Sequence, residues 1–501
     1  MNNVLIKHIG RIKICTSYYP QGDMGKDIEV IGEMLKQTYS IHQKNVKDMK
    51  ILKRFYDNKN TIDKDKQMRP DIDNYVEVPD VFRITRDLNG HICGDGVKFS
   101  DLTGTKEKEL TEFNKCINNI SFDSIYLKAN KNASLYGVGY YYIQPNNDFD
   151  DVESPFLVES ENVDPMNTYC VYNQDIIPKK IWAVWFNDII DDKNDNLKYT
   201  KFTVWSDYAI YNFKKDGSKF TLIDKYALVS KKIPIIEVQR NEDRIGDSEL
   251  ALSIIQAKNM LFSNRVDDVQ QVVDYVYLLY NLSLGDEDEN GNKLDKKERM
   301  KEILKSRVIE LETINPTIQP KVDILKNPLN QSEIQTLADY LDEVINIIVA
   351  LPDRNSDSSG TSDTGIANDY KLGFRNLESY SDTVTVYIKR SLKELISSML
   401  RIITNDKDYN KLLKGLNISD VEIKPQRNKI FSLNDTANAY STLRSAGLND
   451  EDAIKITNVS QDIAETAKKN RAEKEEKENR QIALEKEKSK ITQPVLEKTS
   501  E

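Results

Sequence analysis

A polar segment punctuated by glycine, residues 350–365, lies between two strongly helical patterns in the back half of the chain. Before it, apolar residues recur at the spacing of one helix face, and Asn330 with Glu333 has the form of a capping box. After it, apolar residues from Ile366 to Ile403 continue at roughly helical spacing, for longer than an ordinary globular helix. The sequence therefore predicts two helices joined by a mobile loop, the second long enough to cross or line another structure.

The composition is that of a globular protein with several structural regions. With 501 residues, of which 39% are hydrophobic, the chain can bury sizeable cores. Its four cysteines, Cys15, Cys93, Cys116 and Cys170, show neither C-x-x-C spacing nor disulfide density, which predicts buried free thiols in a reducing cytoplasm. No apolar run approaches the roughly 20 residues that span a bilayer, and the first residues lack a signal-peptide core. We therefore expect a protein that is neither secreted nor membrane-spanning.

No motif for catalysis, cofactor binding or metal binding stands out. The Gly-Lys pair in residues 22–27 lacks the spacing of a phosphate-binding loop. Residues 137–139 lack the third glycine of a dinucleotide loop, so tight backbone packing explains them better. The three histidines, His8, His42 and His91, have no neighbouring ligand pattern, and 81 acidic residues produce adjacent carboxylates by chance. The sequence predicts no catalytic residue, no cofactor and no metal, and hence a protein that is not an enzyme.

The front half of the chain alternates between helical patterns and a region of short strands. Residues 27–58 are predicted to be helical, residues 90–104 rich in turns, and residues 106–136 helical again. Residues 139–238 contain short runs of aromatic and β-branched residues, with a hairpin turn at residues 214–218, which predicts an antiparallel sheet. The fold class that follows is α+β.

The back half is predominantly helical, with one small insert. Residues 248–282 are predicted as a helix whose apolar stripe marks a buried or inter-subunit seam. The insert, residues 283–327, carries an acidic turn, a short helix near residues 296–304, and strands at residues 307–312 and 321–325. A small insert that is entered and left by helices is predicted to protrude.

A strand, a helical pair and a charged tail follow the long helix. Residues 421–425 have a strand pattern, and residues 435–446 and 450–458 have helical patterns, with Asn449 as the cap of the second helix. Residues 466–501 alternate Lys and Glu, which fits either a solvated single helix or a disordered segment. Of these two, we favour a frayed tail.

The order of helix, Ser/Asp/Gly loop and long helix resembles the stem, tunnel loop and spine helix of tailed-bacteriophage portal proteins, specifically the SPP1-like portal family. Residues 232–250 resemble the family's entry into its first stem helix, and residues 133–140, 163–166 and 176–180 agree with it. The resemblance covers roughly residues 27–466 and rests on ordered segments, not on one motif. It implies a portal-type α+β subunit of several regions that assembles into a ring.

The resemblance assigns each stretch of the chain to a region of a portal subunit. In chain order these are an N-terminal arm (1–26), a wing of helices and antiparallel sheet (27–247), a first stem helix (248–282), a small α/β clip (283–328), a second stem helix (329–350), a tunnel loop (351–365), a spine helix with a return to the wing (366–432), a helical crown (433–465) and a charged tail (466–501).

The function that the resemblance implies is a ring-shaped DNA conduit at one vertex of a phage capsid. It implies a homo-oligomer, by resemblance a dodecamer, through which double-stranded DNA is packaged with terminase and later ejected. The implied partners are the terminase large subunit, which would carry the ATP hydrolysis, the head–tail adaptor, and the major capsid and scaffolding proteins. The implied location is the portal vertex of the virion, with assembly in the host cytoplasm.

The resemblance also implies three sets of site residues. The tunnel loop would line the narrowest part of the channel through Asp353, Arg354, Asn355, Ser356, Ser358, Ser359, Thr361 and Ser362, of which Arg354 is the only base. The channel-facing candidates on the stem are Asp267, Asp268, Asp339, Asp342 and Glu343. The partner-binding candidates on the clip are Asp286, Glu287, Asp288, Glu289, Lys296, Lys297 and Lys301.

The net charge of −10 and the pI near 5.3 bear on how such a channel would treat DNA. A protein that grips DNA normally carries basic patches that neutralise phosphates, and here such patches are hard to find. Acidic side chains facing a channel would repel DNA and let it slide, which suits a conduit. The alternative is that these acids are solvated helix faces, and that the loop is a disordered linker.

Two functions from other classes remain open on the sequence. One is a phage nucleic-acid enzyme, a nuclease or packaging ATPase, with a cryptic acidic metal site; the missing phosphate-binding loop and the scarcity of histidine count against it. The other is a structural adaptor ring without a DNA conduit, which would hardly need paired helices flanking a central loop. Metal-dependent DNA cleavage by the pure protein would favour the enzyme.

Overall fold

The computed structural model describes residues 9–59, 74–146, 154–190, 197–217, 219–273, 276–283, 312–319, 321–325, 331–352, 373–405, 409–413, 415–427, 433–457 and 463–491. The chain divides into two compact units. The first unit comprises Met1–Ile9, Lys47–Ile84 and Asp247–Val349, and the second comprises Gly10–Val46, Thr85–Gly246 and Ala350–Glu501. Because each unit gathers three separate stretches, contacts between residues far apart in sequence hold both together.

Helices and antiparallel strands alternate along the described residues. The helices are α1 (Asp27–Tyr56), α2 (Asp80–Cys93), α3 (Glu107–Asn119), α4 (Phe122–Tyr136), α5 (Leu252–Val273), α6 (Gln331–Ile348), α7 (Phe374–Asn405), α8 (Tyr409–Leu412), α9 (Leu433–Ser445), α10 (Asp450–Thr457) and α11 (Ile463–Ile491). The strands are β1 (Val97–Asp101), β2 (Val138–Pro145), β3 (Phe156–Glu159), β4 (Thr168–Tyr172), β5 (Lys180–Ile190), β6 (Leu197–Trp205), β7 (Ala209–Asp216), β8 (Lys219–Ala227), β9 (Ile235–Gln239), β10 (Val276–Tyr280), β11 (Leu282–Ser283), β12 (Glu312–Thr313), β13 (Lys321–Leu325) and β14 (Val421–Pro425). This mixture of helix and sheet agrees with the predicted α+β class.

The largest sheet of the second unit has five antiparallel strands in the order β4-β5-β6-β7-β8. Successive side chains of a strand point to opposite faces, and on one face Trp182 and Val184 of β5 are buried. They join Ile31, Met34 and Leu35 of α1 in one apolar cluster. The helix predicted for residues 27–58 therefore packs against one face of the predicted sheet. The predicted hairpin is confirmed, since β7 pairs with β8.

A second apolar core surrounds the long helix α7. Leu392, Ile396 and Met399 of α7 are buried together with side chains of α3, α4 and the three-stranded sheet β3-β2-β9. A two-stranded ladder joins this core, with Phe99 of β1 opposite Ile423 of β14. The strand predicted at residues 421–425 is thus confirmed, and the long helix begins at Phe374 within the described residues.

The turn-rich interpretation of residues 90–104 is wrong in part. Helix α2 continues to Cys93, and β1 occupies Val97–Asp101. The glycines of this stretch favoured turns locally, but pairing with β14 supplies hydrogen bonds and an apolar face that decide for a strand. The helical prediction for residues 106–136 is confirmed as α3 and α4, which are separated at Ser121, whose φ is 53°.

Gly137 and Gly139 allow backbones to approach closely. Gly137 ends α4 with a φ of +83°, and a Cβ there would lie 1.9 Å from the carbonyl oxygen of Arg244. A Cβ on Gly139 would lie 2.1 Å from the carbonyl oxygen of Ala129. The role at these positions is tight packing, as the sequence indicated.

In the first unit, the helix predicted for residues 248–282 is shorter than expected. Helix α5 ends at Val273, and Val276–Tyr280 is the strand β10, which pairs with β13. The apolar run of β10 continues the helical stripe in sequence, but its β-branched and aromatic residues also suit a pleated ladder once a partner strand is present. The strand predicted at residues 321–325 is confirmed as β13, whereas residues 296–304 and 307–311 lie outside the described residues.

The C-terminal segments contain one confirmed prediction and one wrong one. Helices α9 and α10 match the predicted pair, and the Asp452 amide donates to Asn449 Oδ1 at 2.7 Å, so Asn449 caps α10. The frayed tail is wrong over Ile463–Ile491, which forms the helix α11, the other form that the composition allowed. Ion pairs one turn apart, such as Arg480 with Glu476 at 2.7 Å, support an exposed helix of this composition.

Candidate functional site: two paired helices and the segment bound along them

Helices α5 and α6 of the first unit, the two helices that the resemblance predicts as the stem, pack against each other. We call them the stem pair. Ala338 and Ile345 of α6 are buried, as is Ile255 of α5. Helix α6 is apolar beyond this seam, because Leu337, Tyr340 and Ile347 remain exposed, and Val266 and Val269 of α5 are exposed as well. Each helix thus buries some apolar side chains within the subunit and leaves others exposed to solvent.

An extended segment of residues 74–78 is bound along α5 through polar side chains. The amides of Val78, Val76 and Asn74 donate to Asn259 Oδ1 at 3.0 Å, Ser263 Oγ at 3.0 Å and Asp267 Oδ1 at 2.9 Å, respectively. Alternate residues of an extended chain lie about 6.5 Å apart, and residues one turn apart on a helix lie about 6 Å apart. Because the spacing of alternate residues in the segment matches the spacing of helical turns, each second amide meets one side-chain acceptor of α5. These side chains accept the hydrogen bonds that a neighbouring strand would accept in a β-ladder.

A buried ion cluster ties α2 to both stem helices. Lys258 of α5 is almost fully buried, with its Nζ 2.9 Å from Asp80 Oδ2, and it also contacts the carboxylate of Asp342 on α6. Arg83 lies 3.2 Å from Asp80 Oδ1 and donates to Asn346 Oδ1 at 3.3 Å. Because each buried charge faces an opposite charge, the cluster holds three helices in one arrangement.

The channel-facing candidates therefore differ in what their side chains do. Asp267 is buried and accepts hydrogen bonds from Asn74, and Asp342 is engaged with Lys258. Asp339 is exposed and accepts from Gln335 at 2.8 Å, and Glu343 is exposed on the same helix. Asp268 is half-buried. Of the five acids, Asp339 and Glu343 are the ones that are exposed in the subunit.

The other two predicted sets lie outside the described residues. Within 351–365 the structure describes only Leu351, which is buried, and Pro352. The tunnel-loop residues from Asp353 to Ser362 and the clip residues from Asp286 to Lys301 therefore stay predictions.

The extended segment and the ion cluster were missed by sequence reasoning. The signal for the first was present, because Asn259, Ser263 and Asp267 recur at intervals of four residues and form a polar line on a helix. No local pattern indicated which extended segment would bind there. The signal for the second was Lys258, the one charged residue between Glu249 and Arg265, which requires an acidic partner if it is buried.

The described residues contain no grouping of three or more His, Cys, Asp or Glu side chains suited to a metal ion. His42 is buried and stacks on Tyr169 at 4.5 Å, and burial lowers its pKa to about 4. Burial likewise raises the pKa of the Cys116 thiol to about 11, which disfavours the nucleophilic thiolate. In the part of the chain that the structure describes, no helix is long and apolar enough to cross a membrane.

Comparison with known proteins identifies the family of this chain. The family model described as phage portal protein, SPP1 Gp6-like, matches residues 35–480. A search of curated proteins found no match. The matched range includes α5, α6 and the segment between α6 and α7, as well as the sheets of the second unit. The chain belongs to the SPP1 Gp6-like family of phage portal proteins.

Proposed function

We propose that this chain assembles into a ring, by resemblance a dodecamer, that conducts double-stranded DNA into and out of a phage capsid at one vertex. The observation that carries the proposal is the stem pair: the ion cluster contacts α5 and α6 and the extended segment binds along α5, yet both helices expose apolar side chains. Several apolar side chains exposed on paired helices form a surface that a neighbouring subunit would cover. Membership in the portal family agrees with this reading.

Within the ring, Asp339 and Glu343 are the acids on α6 that we assign to the channel. Their exposure allows them to meet DNA, and like charge would keep the duplex from adhering to the wall. The tunnel loop between α6 and α7 would contribute the narrowest contact. Residues 283–327 would form the clip that docks the terminase large subunit during packaging and the head–tail adaptor afterwards, while the major capsid and scaffolding proteins would surround the ring.

Electron microscopy and native mass spectrometry of the purified chain test the ring. We expect closed rings with a central hole and one defined number of subunits. A species that stays monomeric and compact over a wide range of protein and salt concentrations would refute the proposal.

The clip is tested by replacing residues 283–327 with a short Gly/Ser linker. The subunits should still fold and assemble, but terminase docking and packaging should be lost in a complementation assay. The enzyme alternative is tested on the same preparation, because metal-dependent cleavage of DNA by the pure protein would favour a nuclease over a conduit.

A further inference from the structure

Two adjacent isoleucines project into solvent from the connection between β4 and β5. Ile176 is 102% exposed and Ile177 is 75% exposed. The connection is held in place, because the Lys179 amide donates to Asn173 Oδ1 at 2.7 Å and the Asn173 amide donates to the Lys179 carbonyl at 3.0 Å. Single exposed apolar residues are ordinary. A pair at the end of a braced turn is a convex apolar tip, which we call the isoleucine tip.

The same unit carries a concave counterpart, an open cleft of about 470 Å³. Its aromatic lining is Tyr142, Trp185 and Trp205, with the Tyr142 and Trp205 rings 5.8 Å apart. Trp185 lies on the face of β5 opposite to α1, and its Nε1 donates to the Asn162 carbonyl at 3.1 Å. Gln144 and Asn162 add a polar rim. We call this the aromatic cleft.

The composition of the aromatic cleft is that of a protein interface. It contains two of the three tryptophans in the chain. Tryptophan and tyrosine in a concave site with a polar rim are the features of binding hot spots between proteins. An apolar anchor of a partner chain is therefore the expected occupant.

The isoleucine tip cannot fill the aromatic cleft of its own subunit. The tip precedes β5, which begins at Lys180, and Trp185 lies five residues further along this extended strand. At about 3.3 Å per residue, Lys180 and Trp185 are about 17 Å apart, and the tip lies before Lys180 in the chain. The two features are joined only if the tip of one copy meets the cleft of another.

The charges beside the two features are complementary. Lys179 is exposed next to the isoleucine tip, whereas Glu159 lines the aromatic cleft and Glu161 follows it. The Glu161 carboxylate lies 3.7 Å from Lys128 Nζ, and its side chain remains 77% exposed. The acid of the connection, Asp175, is already engaged, since it accepts hydrogen bonds from Asn173 and Tyr19. Opposite charges at the rim favour one orientation of approach.

We propose that the isoleucine tip of one subunit inserts into the aromatic cleft of the next, with Lys179 facing Glu159 and Glu161. Such a contact is heterologous, since it joins two different patches, and repeated with closure it generates a ring. This inference rests on the proposed ring assembly, and it adds a specific contact outside the stem.

Disulfide trapping tests the contact directly. A variant with Ile177→Cys and Asn162→Cys is assembled and oxidised, and we expect a ladder of covalently joined subunits on a denaturing gel. Each single substitution alone, and Ile177→Cys combined with Lys219→Cys on the exposed edge strand β8, serve as controls and should give no ladder. A disulfide needs Cα atoms about 4.4–6.8 Å apart, so a link within one subunit is excluded by the separation along β5.

A second measurement does not depend on cysteine geometry. Ile176→Ser with Ile177→Ser should leave the subunit folded, because both side chains are largely exposed. The double substitution should raise the protein concentration needed for half-assembly on the order of a hundredfold or more. Val229→Ser removes a comparably exposed apolar side chain (73% exposed) of the same unit and should leave assembly unchanged. Assembly is followed by native mass spectrometry and by tryptophan fluorescence.

The outcomes separate this contact from the ring itself. Rings that form normally with both isoleucines replaced would overturn the contact and leave the portal function standing. The same conclusion would follow if Ile177→Cys gave no ladder with Asn162→Cys and none with Gln144→Cys, the second cysteine position in the cleft. A parent chain that forms no ring would overturn both.

Discussion

Lys258 Nζ lies 2.9 Å from Asp80 Oδ2, and both side chains are almost completely buried. A carboxylate of α6, Asp342, contacts the same ammonium group. The lysine thus neutralises acids from two other elements at once. The stem pair depends on it because, without the lysine, Asp342 would lose its ion-pair partner and Asp80 would keep only Arg83.

Replacing this lysine should destabilise the first unit strongly. We expect Lys258→Met to cost about 3 kcal/mol in the free energy of unfolding, since Asp342 loses its ion-pair partner and the buried Asp80 keeps only Arg83. Urea and thermal denaturation measure the loss. Lys36→Met is the matched control, because Lys36 pairs with Glu33 in solvent and should cost under about 1 kcal/mol.

Removing one acid together with the lysine should recover most of the lost stability. In the double variant Lys258→Met, Asp342→Asn the remaining acid, Asp80, still pairs with Arg83, so the cluster contains no uncompensated charge. If Lys258→Met alone proves no worse than the exposed control, the cluster does not hold the stem helices.

The segment bound along α5 should loosen when one acceptor is removed. Ser263 Oγ accepts the Val76 amide at 3.0 Å and donates to the Asn259 carbonyl at 2.7 Å. Ser263→Ala should therefore speed hydrogen exchange of the Val76 amide and lower its local stability by about 1 kcal/mol. Asn264→Ala, at an exposed neighbouring position, is the control. Equal exchange rates in the two variants would contradict the assignment.

Acid should destabilise the second unit through His42. Burial lowers the folded-state pKa of His42 to about 4, below the usual value of 6.5, and its Nε2 lies 2.9 Å from the Met166 carbonyl. The unfolded chain binds the proton first, so this contribution to stability is complete above pH 6.5 and is lost as the pH falls toward 4, a change of about 3 kcal/mol.

The measurement is the free energy of unfolding as a function of pH. His42→Phe should flatten the slope between these two pH values, because the titrating group is gone. A slope that is unchanged in the variant would assign the acid sensitivity to other groups.

Shortening the tunnel loop should separate assembly from DNA transport. Deleting part of residues 353–364 should spare the ring but impair translocation or retention of DNA, because a polar loop without periodicity contributes little to packing. Arg354→Ala should be milder, since one phosphate contact is a small part of the interaction, whereas several added lysines should make DNA adhere. Microscopy follows assembly, and nuclease protection reports packaged genome length. Failed assembly with the short loop and normal packaging with the lysine-rich loop would make this segment a structural joint.

The sequence by itself determined the elements whose signals are local. The apolar periodicity of α1, α6 and α7 and the cap at Asn449 depend on residues within a few turns of each other, so a pattern along the chain was sufficient. The antiparallel sheet was predictable for the same reason, because β-branched and aromatic runs separated by turns describe hairpins. The order of these elements also carried the family resemblance.

Only the tertiary structure decided the rest, because it depends on partners that are remote in sequence. Val97–Asp101 became a strand through β14, and Val276–Tyr280 left its helical pattern for a ladder with β13. Asp267, a candidate for the channel wall, is buried in the subunit and accepts a hydrogen bond from the amide of Asn74, 193 residues away. Local propensity changes the free energy by fractions of a kcal/mol per residue. Paired strands and buried charges contribute more, so long-range contacts override local preference wherever the two disagree.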